Sequence, residues 1–361
     1  MAAPQLLWDS GTAYDLFMSL EVLHDPAEFG VRGAWAAGVR ARLPADEREV
    51  LEQGCTLFYV PIHWVYTLPD PKDALSVLWH LGQVPAAERL PLLTPQASLC
   101  ADVLTVLGEV AARGSWTESD REALLAAHCE ESKSMTPPDK LARLLDGWAH
   151  AEEFGERYLA ALRAYHEVFF AEEERRIAPA LQQALTRAQE LAQQMELPDL
   201  VEELSQGVRF SELPNIAELV LVPSYWITPL VLFGLASAER AIWLFGARPE
   251  DASLVPGETV PETMLRALKA LSDPTRLRIL HYLASEPLTP SDLARRLRLR
   301  APTVTHHLKT LRLAGLVQLT VGEEKEERRY AARTEAVAVA FQSLQGFLQQ
   351  GEEGPQEPGD D

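Results

Sequence analysis

Two helix starts of the same make lie close together near the C-terminus, at Asp273-Pro274 and Thr289-Pro290. In each, an oxygen-bearing side chain can accept a bond from an orphan backbone N–H, and proline in the first helical position gives up a donor the helix could not use. Asp292, three residues after Thr289, adds the carboxylate of a capping box. The pattern predicts a helix from Pro274 to about Ala284, with Leu277, Ile279, Leu280 and Leu283 on its apolar stripe, and a short second helix carrying Leu293 and Leu297. Leu299-Arg300 then turns the chain into a third helix from Ala301 to about Ala314. Gly315 ends it, since glycine adopts the left-handed conformation that a helix C-terminus favours.

On the third helix Val304, Leu308 and Leu311 project to one side, flanked by His307. At about 100° per residue the opposite side carries Pro302, His306, Lys309 and Thr310, with Thr303 and Thr305 on its shoulders. That outward face is small, polar and cationic. Thr hydroxyls can donate or accept, His can read a purine acceptor, and Lys can meet a guanine edge or a phosphate. Downstream, Val317-Gln318-Leu319-Thr320-Val321, a tip centred on Gly322 and Arg328-Arg329-Tyr330 read as a two-stranded wing. A helix–turn–helix with a wing is shaped to enter the DNA major groove.

The segments LKALSDPTRLRILHYL, PSDLARRL, PTVTHHLKTLRLAGLV and ERRYAAR together resemble the winged-helix domain of the ArsR/SmtB group of bacterial regulators over residues 261–350. The resemblance implies that Thr303, Thr305 and His306 face bases and that Arg328 and Arg329 sit on the wing near phosphate. It also implies a homodimer on an inverted-repeat operator, joined by flanking helices: Val337, Phe341, Leu344 and Leu348 on a terminal helix, and Leu265 and Leu268 on a helix from about Glu262 to Leu271. This chain departs from the group in two places. Thr289–Leu297 holds no cysteine where metal sensors carry a pair, and the wing tip, Glu323 to Glu327, is acidic. No metal or other cofactor is expected.

Charge divides the chain. Residues 261–350 contain 14 Lys and Arg against 9 Asp and Glu, within a protein whose net charge is −20. DNA affinity draws on phosphate neutralisation, so an acidic N-terminal mass confines contact to the basic segment. A 47% hydrophobic composition fits a folded protein, and the chain shows neither a signal peptide nor an apolar run of membrane-spanning length. Cys55, Cys100 and Cys129 are scattered, which points to reduced, structural thiols and a cytoplasmic location.

Residues 1–255 read as mostly helical: Asp102 to Arg113, Glu118 to Ser132, and a charged stretch from Asp139 to Met195 with Pro179 inside it. Phe154, Tyr158, Leu162, Tyr165 and Phe169 recur at helical spacing as core, and Glu172-Glu173-Glu174 reads as a solvated face. Short strands are expected at Val208–Phe210, Glu218–Pro223 and Ala241–Gly246, forming a small sheet near 207–246. The segments AYDLFMSLEVL and LVLVPSYWITP are similar to the uncharacterised N-terminal half of some larger regulators of the same group. The dispersed histidines, with no phosphate loop, nucleophile elbow or metal-ligand spacing, give no catalytic constellation, and the chain is not expected to be an enzyme.

The expected architecture is mainly α with small β content. An α-rich sensor or interaction domain (1–255) precedes a winged helix–turn–helix DNA-binding domain (261–350) and a disordered acidic tail (351–361). Tyr59, Trp64, Tyr225 and Trp226 are the candidates for a small-molecule effector pocket, because they pair apolar bodies with polar tips. The competing reading is a winged helix that docks protein without touching DNA.

Overall fold

The computed structural model describes residues 4–131, 138–210, 216–249, 252, 260–322 and 328–350. The chain is mainly helical and forms two compact units, Met1–Arg187 with Asn215–Ala247, and Ala188–Pro214 with Arg248–Asp361. Strands among the described residues are β1 (Gln5–Trp8), β2 (Val208–Phe210), β3 (Glu218–Ser224), β4 (Leu232–Leu235), β5 (Arg240–Gly246), β6 (Val317–Val321) and β7 (Arg328–Ala332). The acidic wing tip 323–327 and the tail 351–361 lie outside the described residues.

In the first unit the sheet order is β1-β3-β5-β4, with β1, β3 and β5 parallel and β4 antiparallel to β5. β3 and β5 are buried along most of their length, which is why they read as continuous apolar runs rather than alternating ones. The helix Thr12–His24 is buried from Thr12 to Leu23, so it has no solvent side to pattern. Asp15 is fully buried within it and accepts from the Ser224 hydroxyl (2.7 Å) and from the backbone N–H groups of Tyr225 (3.1 Å) and Trp226 (2.9 Å).

Three expectations for this unit change. The stretch from Asp139 divides into helices Pro138–Ala149, Ala151–Tyr165 and Ala171–Ala192, with a π-helical turn at His166–Phe170. That turn inserts an extra residue per loop of backbone, so the row below Tyr165 is shared by the half-buried Phe169, with ring centres 5.5 Å apart, and the fully buried Phe170, at 6.3 Å. The glutamate run is solvated only at Glu172. Glu173 is buried and accepts from Arg176, while Glu174 accepts from the Thr12 hydroxyl and from Ala74 N–H at 2.9 Å.

The second unit packs the helices Glu262–Leu271, Pro274–Leu283, Pro290–Leu297 and Ala301–Leu313 around Ile279, Leu283, Leu293, Val304, Leu308, Leu311 and Val317. Leu277 leaves the expected stripe and is 49% exposed, because it lies two residues, about 200° of helix, before Ile279. The terminal helix Thr334–Gln350 packs against Glu262–Leu271. β2 does not join the strands at 218–246. It pairs in parallel with β6, giving the order β2-β6-β7, because its partner lies more than a hundred residues downstream and short-range pattern carries no trace of that pairing.

Candidate nucleic-acid interface

Local chemistry builds this site. The Asp273 side chain accepts from the N–H groups of Thr275 (2.8 Å) and Arg276 (2.9 Å), fixing the start of Pro274–Leu283. The Thr289 hydroxyl oxygen accepts from Asp292 N–H at 3.1 Å and donates to the Asp292 carboxylate at 2.8 Å. These bonds hold both carboxyl groups below the usual carboxylate range. The helix Pro290–Leu297 closes on Arg298, a non-glycine residue in the left-handed region at φ 57°. Arg300 then precedes the helix Ala301–Leu313, and Gly315 at φ 69° turns the chain into β6, with Leu316 N–H bonded to the Leu311 carbonyl at 3.0 Å.

The helix Ala301–Leu313 has two distinct sides. Val304, Leu308 and Leu311 are fully buried, while Thr303, Thr305 and His306 are exposed. Lys309 and Thr310 are half-buried, and Arg328 and Arg329 are exposed on β7. The Thr305 hydroxyl donates to the Ala301 carbonyl and the Thr310 hydroxyl to the His306 carbonyl, each at 3.1 Å. Both therefore turn lone pairs outward and suit a base-edge amino group better than a base-edge acceptor. The His306 and His307 ring centres are 6.1 Å apart and inclined by 62°, and the half-buried His307 is pushed below the usual histidine range by burial. Among the described residues no group of three His, Cys, Asp or Glu could hold a metal ion.

Sequence reasoning missed two arginines here. Arg312 is buried on the inner side of the same helix, and Arg333 follows β7. Arg312 lies one turn after Leu308, on the apolar row, which is the signal that marks it.

The proposed effector residues fall in the first unit. Trp64 packs edge-on against Phe17, and Trp226 stacks on Trp35 with ring centres 5.5 Å apart. Tyr225 accepts from Arg176 at 2.8 Å through its hydroxyl. All three are buried, whereas Tyr59 is 43% exposed with φ 56°. His24, His63 and His150 each bond a backbone carbonyl, at 2.8, 3.1 and 2.9 Å. Cys55 and Cys100 are free thiols, and burial pushes the Cys55 thiol up. No described helix is long and apolar enough to cross a membrane.

Capped helix, tight turn, exposed polar helix and β-hairpin together define a winged helix–turn–helix. Residues 273–318 match the family described as bacterial regulatory protein, arsR family, and the C-terminal unit thus carries an ArsR-family helix–turn–helix. The chain is 37% identical over 54 residues to the transcriptional repressor SdpR of Bacillus subtilis, covering 15% of this chain and 60% of that protein. It is 48% identical over 52 residues to the HTH-type transcriptional regulator Rv2034 of Mycobacterium tuberculosis, covering 14% of this chain and 49% of that one. The chain thus spans about half to three-fifths of these relatives.

Proposed function

We propose that the protein is a sequence-specific, DNA-binding transcriptional regulator acting as a repressor, with Thr303, Thr305, His306, Lys309 and Thr310 reading the major groove and Arg328 and Arg329 holding phosphate. The observation that carries this reading is the exposure of Thr303, Thr305 and His306 on a helix whose other side, at Val304, Leu308 and Leu311, is the core of the unit. Such a helix presents polar groups from a rigid support, as base readout requires. The related proteins named above are a transcriptional repressor and a transcriptional regulator, which supports the class.

The protein works as a cytoplasmic homodimer on an inverted repeat, and is not an enzyme. Residues 261–350 are the DNA-binding domain, and 1–255 sense a small molecule or a partner, with Tyr59, Trp64, Tyr225 and Trp226 as the candidate contacts. An effector acts by binding two conformations unequally. Regulation needs no metal, since Thr289–Leu297 lacks cysteine. Footprinting of the purified protein across its own upstream DNA tests the class. Two protected half-sites about one helical turn apart are expected. Absence of protection on any duplex would support the protein-docking alternative instead.

A further inference from the structure

Arg312 lies on the helix Ala301–Leu313, the recognition helix of the DNA-binding reading, and is only 7% exposed. Its guanidinium donates to the Ser205 carbonyl at 2.8 Å and to the Gln206 carbonyl at 3.3 Å. Arg333 donates to the same Gln206 carbonyl at 2.9 Å and to the Gly315 carbonyl at 3.3 Å. Ser205 is the C-cap of the helix Leu197–Leu204, the end at which unpaired carbonyls carry partial negative charge.

The same stretch of chain also holds the wing. After Gly207 it forms β2, which lies alongside β6 in register Val208 to Leu319, and Leu319 N–H bonds the Gly207 carbonyl at 2.8 Å. Glu202 accepts from the side chains of Gln318 and Arg209. One strap, Leu197–Phe210, is therefore fastened to the recognition helix through Arg312 and to the wing through β6.

Stability alone does not account for a guanidinium at this place. Burial pulls the Arg312 pKa down to about 10, and Arg333 close by pulls in the same direction. A methionine or leucine would fill the volume without the cost of desolvating a cation. What the arginine adds is direction, since two carbonyls in fixed positions receive a planar donor in a narrow range of helix orientations. Arg312 lies two turns beyond Thr305 on the same helix, and its guanidinium is taken up by the Ser205 and Gln206 carbonyls.

We propose that Arg312 is a positioning residue for DNA recognition: by tying the recognition helix to the strap 197–210 it sets the angle at which Thr305 and His306 meet base edges. The proposal rests on the DNA-binding reading above. Its test uses the full chain and the footprinted operator, titrated against scrambled duplex at several salt concentrations. Arg312→Met removes the donors at similar volume, and Arg312→Lys restores part of them. Glu202→Ala loosens the strap without altering the recognition helix, and guards against a misfolded Arg312 variant. Hydrogen exchange at the Leu319 amide reports in every variant whether the strap has loosened.

Arg312→Met is expected to lower the operator-to-scrambled ratio at least tenfold, with Arg312→Lys intermediate and Glu202→Ala lower in the same sense. The slope of log affinity against log salt stays unchanged, because no phosphate contact is lost. A fall in that slope by about one unit per chain would make Arg312 a phosphate ligand and overturn the proposal. So would an unchanged ratio in variants whose Leu319 amide exchanges faster. Wild-type protein that retains no duplex overturns the DNA-binding reading and this proposal together, whereas wild-type binding with indifferent variants overturns the proposal alone.

Discussion

The carboxylate of Asp15 accepts a 2.7 Å hydrogen bond from the hydroxyl of Ser224, joining the first helix to the end of β3 across 209 residues of chain. The backbone N–H groups of Tyr225 and Trp226 share that carboxylate, so one buried acid holds the turn in which both aromatic residues sit. Asp15→Ala strands a hydroxyl and two N–H groups in the core, and is expected to cost about 3 kcal/mol or more. Asp15→Asn keeps an acceptor and costs less. Urea denaturation followed by tryptophan fluorescence measures both, since Trp226 lies at the site. Equal losses for the two variants would show that hydrogen bonding at this point contributes little.

Two buried acids give the protein a pH dependence of definite sign. Burial raises the Asp15 pKa to about 6 and the Glu21 pKa to about 7, the latter against a hydrogen bond from Cys55 and with help from Asp25. An acid whose folded pKa lies above its unfolded value adds stability that is fully present below the unfolded pKa and is lost as pH rises through the folded one. For Glu21 the window runs from its ordinary value of 4.5 to about 7. Glu21→Gln mimics the protonated carboxyl, so the wild type should lose roughly 3 kcal/mol relative to this variant across that window. His24, which burial pushes below the usual range, acts in the opposite sense but is common to both proteins. Denaturation midpoints that stay parallel between the two from pH 5 to 8 would refute the assignment.

What could be read from the sequence was local. Asp273 and Thr289 announce their helices because a cap bonds within three residues of itself, and Val304, Leu308 and Leu311 announce the inner side of the recognition helix by spacing alone. Non-local partners leave no such mark. β1 and β4 escaped notice because four residues carry little pattern, and β1 is moreover defined by a neighbour, β3, more than two hundred residues away. The π-helical turn brings Phe170 into the aromatic row beside Phe169, which a uniform helical period cannot anticipate. Glu173 looked solvated because its run of three glutamates hid the arginine one turn later that pairs with it. At the proposed site, Thr303, Thr305 and His306 stood out by type and spacing, whereas Arg312 takes its meaning from carbonyls more than a hundred residues earlier.

The terminal helix supplies a test of assembly. Phe341 is 50% exposed and Leu348 is 63% exposed on Thr334–Gln350, with Val337 and Leu344 half-buried on the same stripe. Burying such side chains gains roughly 1.5–3 kcal/mol each, so a homodimer formed through this helix should be sensitive to one charge there. Phe341→Lys is expected to convert a dimer into a monomer in sedimentation equilibrium at micromolar concentration, with its helical content retained. A wild-type protein already monomeric under those conditions, with or without operator, would exclude this interface.

Readout and attraction separate at His306 and Arg329. His306 is exposed on the side of the recognition helix opposite Leu308, whereas Arg329 is exposed on the wing strand β7. An imidazole at a base edge contributes discrimination, so His306→Ala should lose roughly 1–3 kcal/mol of preference for the operator over a mismatched duplex while leaving scrambled DNA bound as before. A guanidinium at a phosphate contributes affinity that is blind to sequence. Arg329→Gln should weaken every duplex alike and lower the slope of log affinity against log salt by about one unit per contact, or about two for a symmetric dimer. Titration of both variants on operator and scrambled duplexes at several salt concentrations distinguishes these effects. If His306→Ala left the ratio intact while Arg329→Gln abolished it, the wing rather than the helix Ala301–Leu313 would be the element that reads sequence.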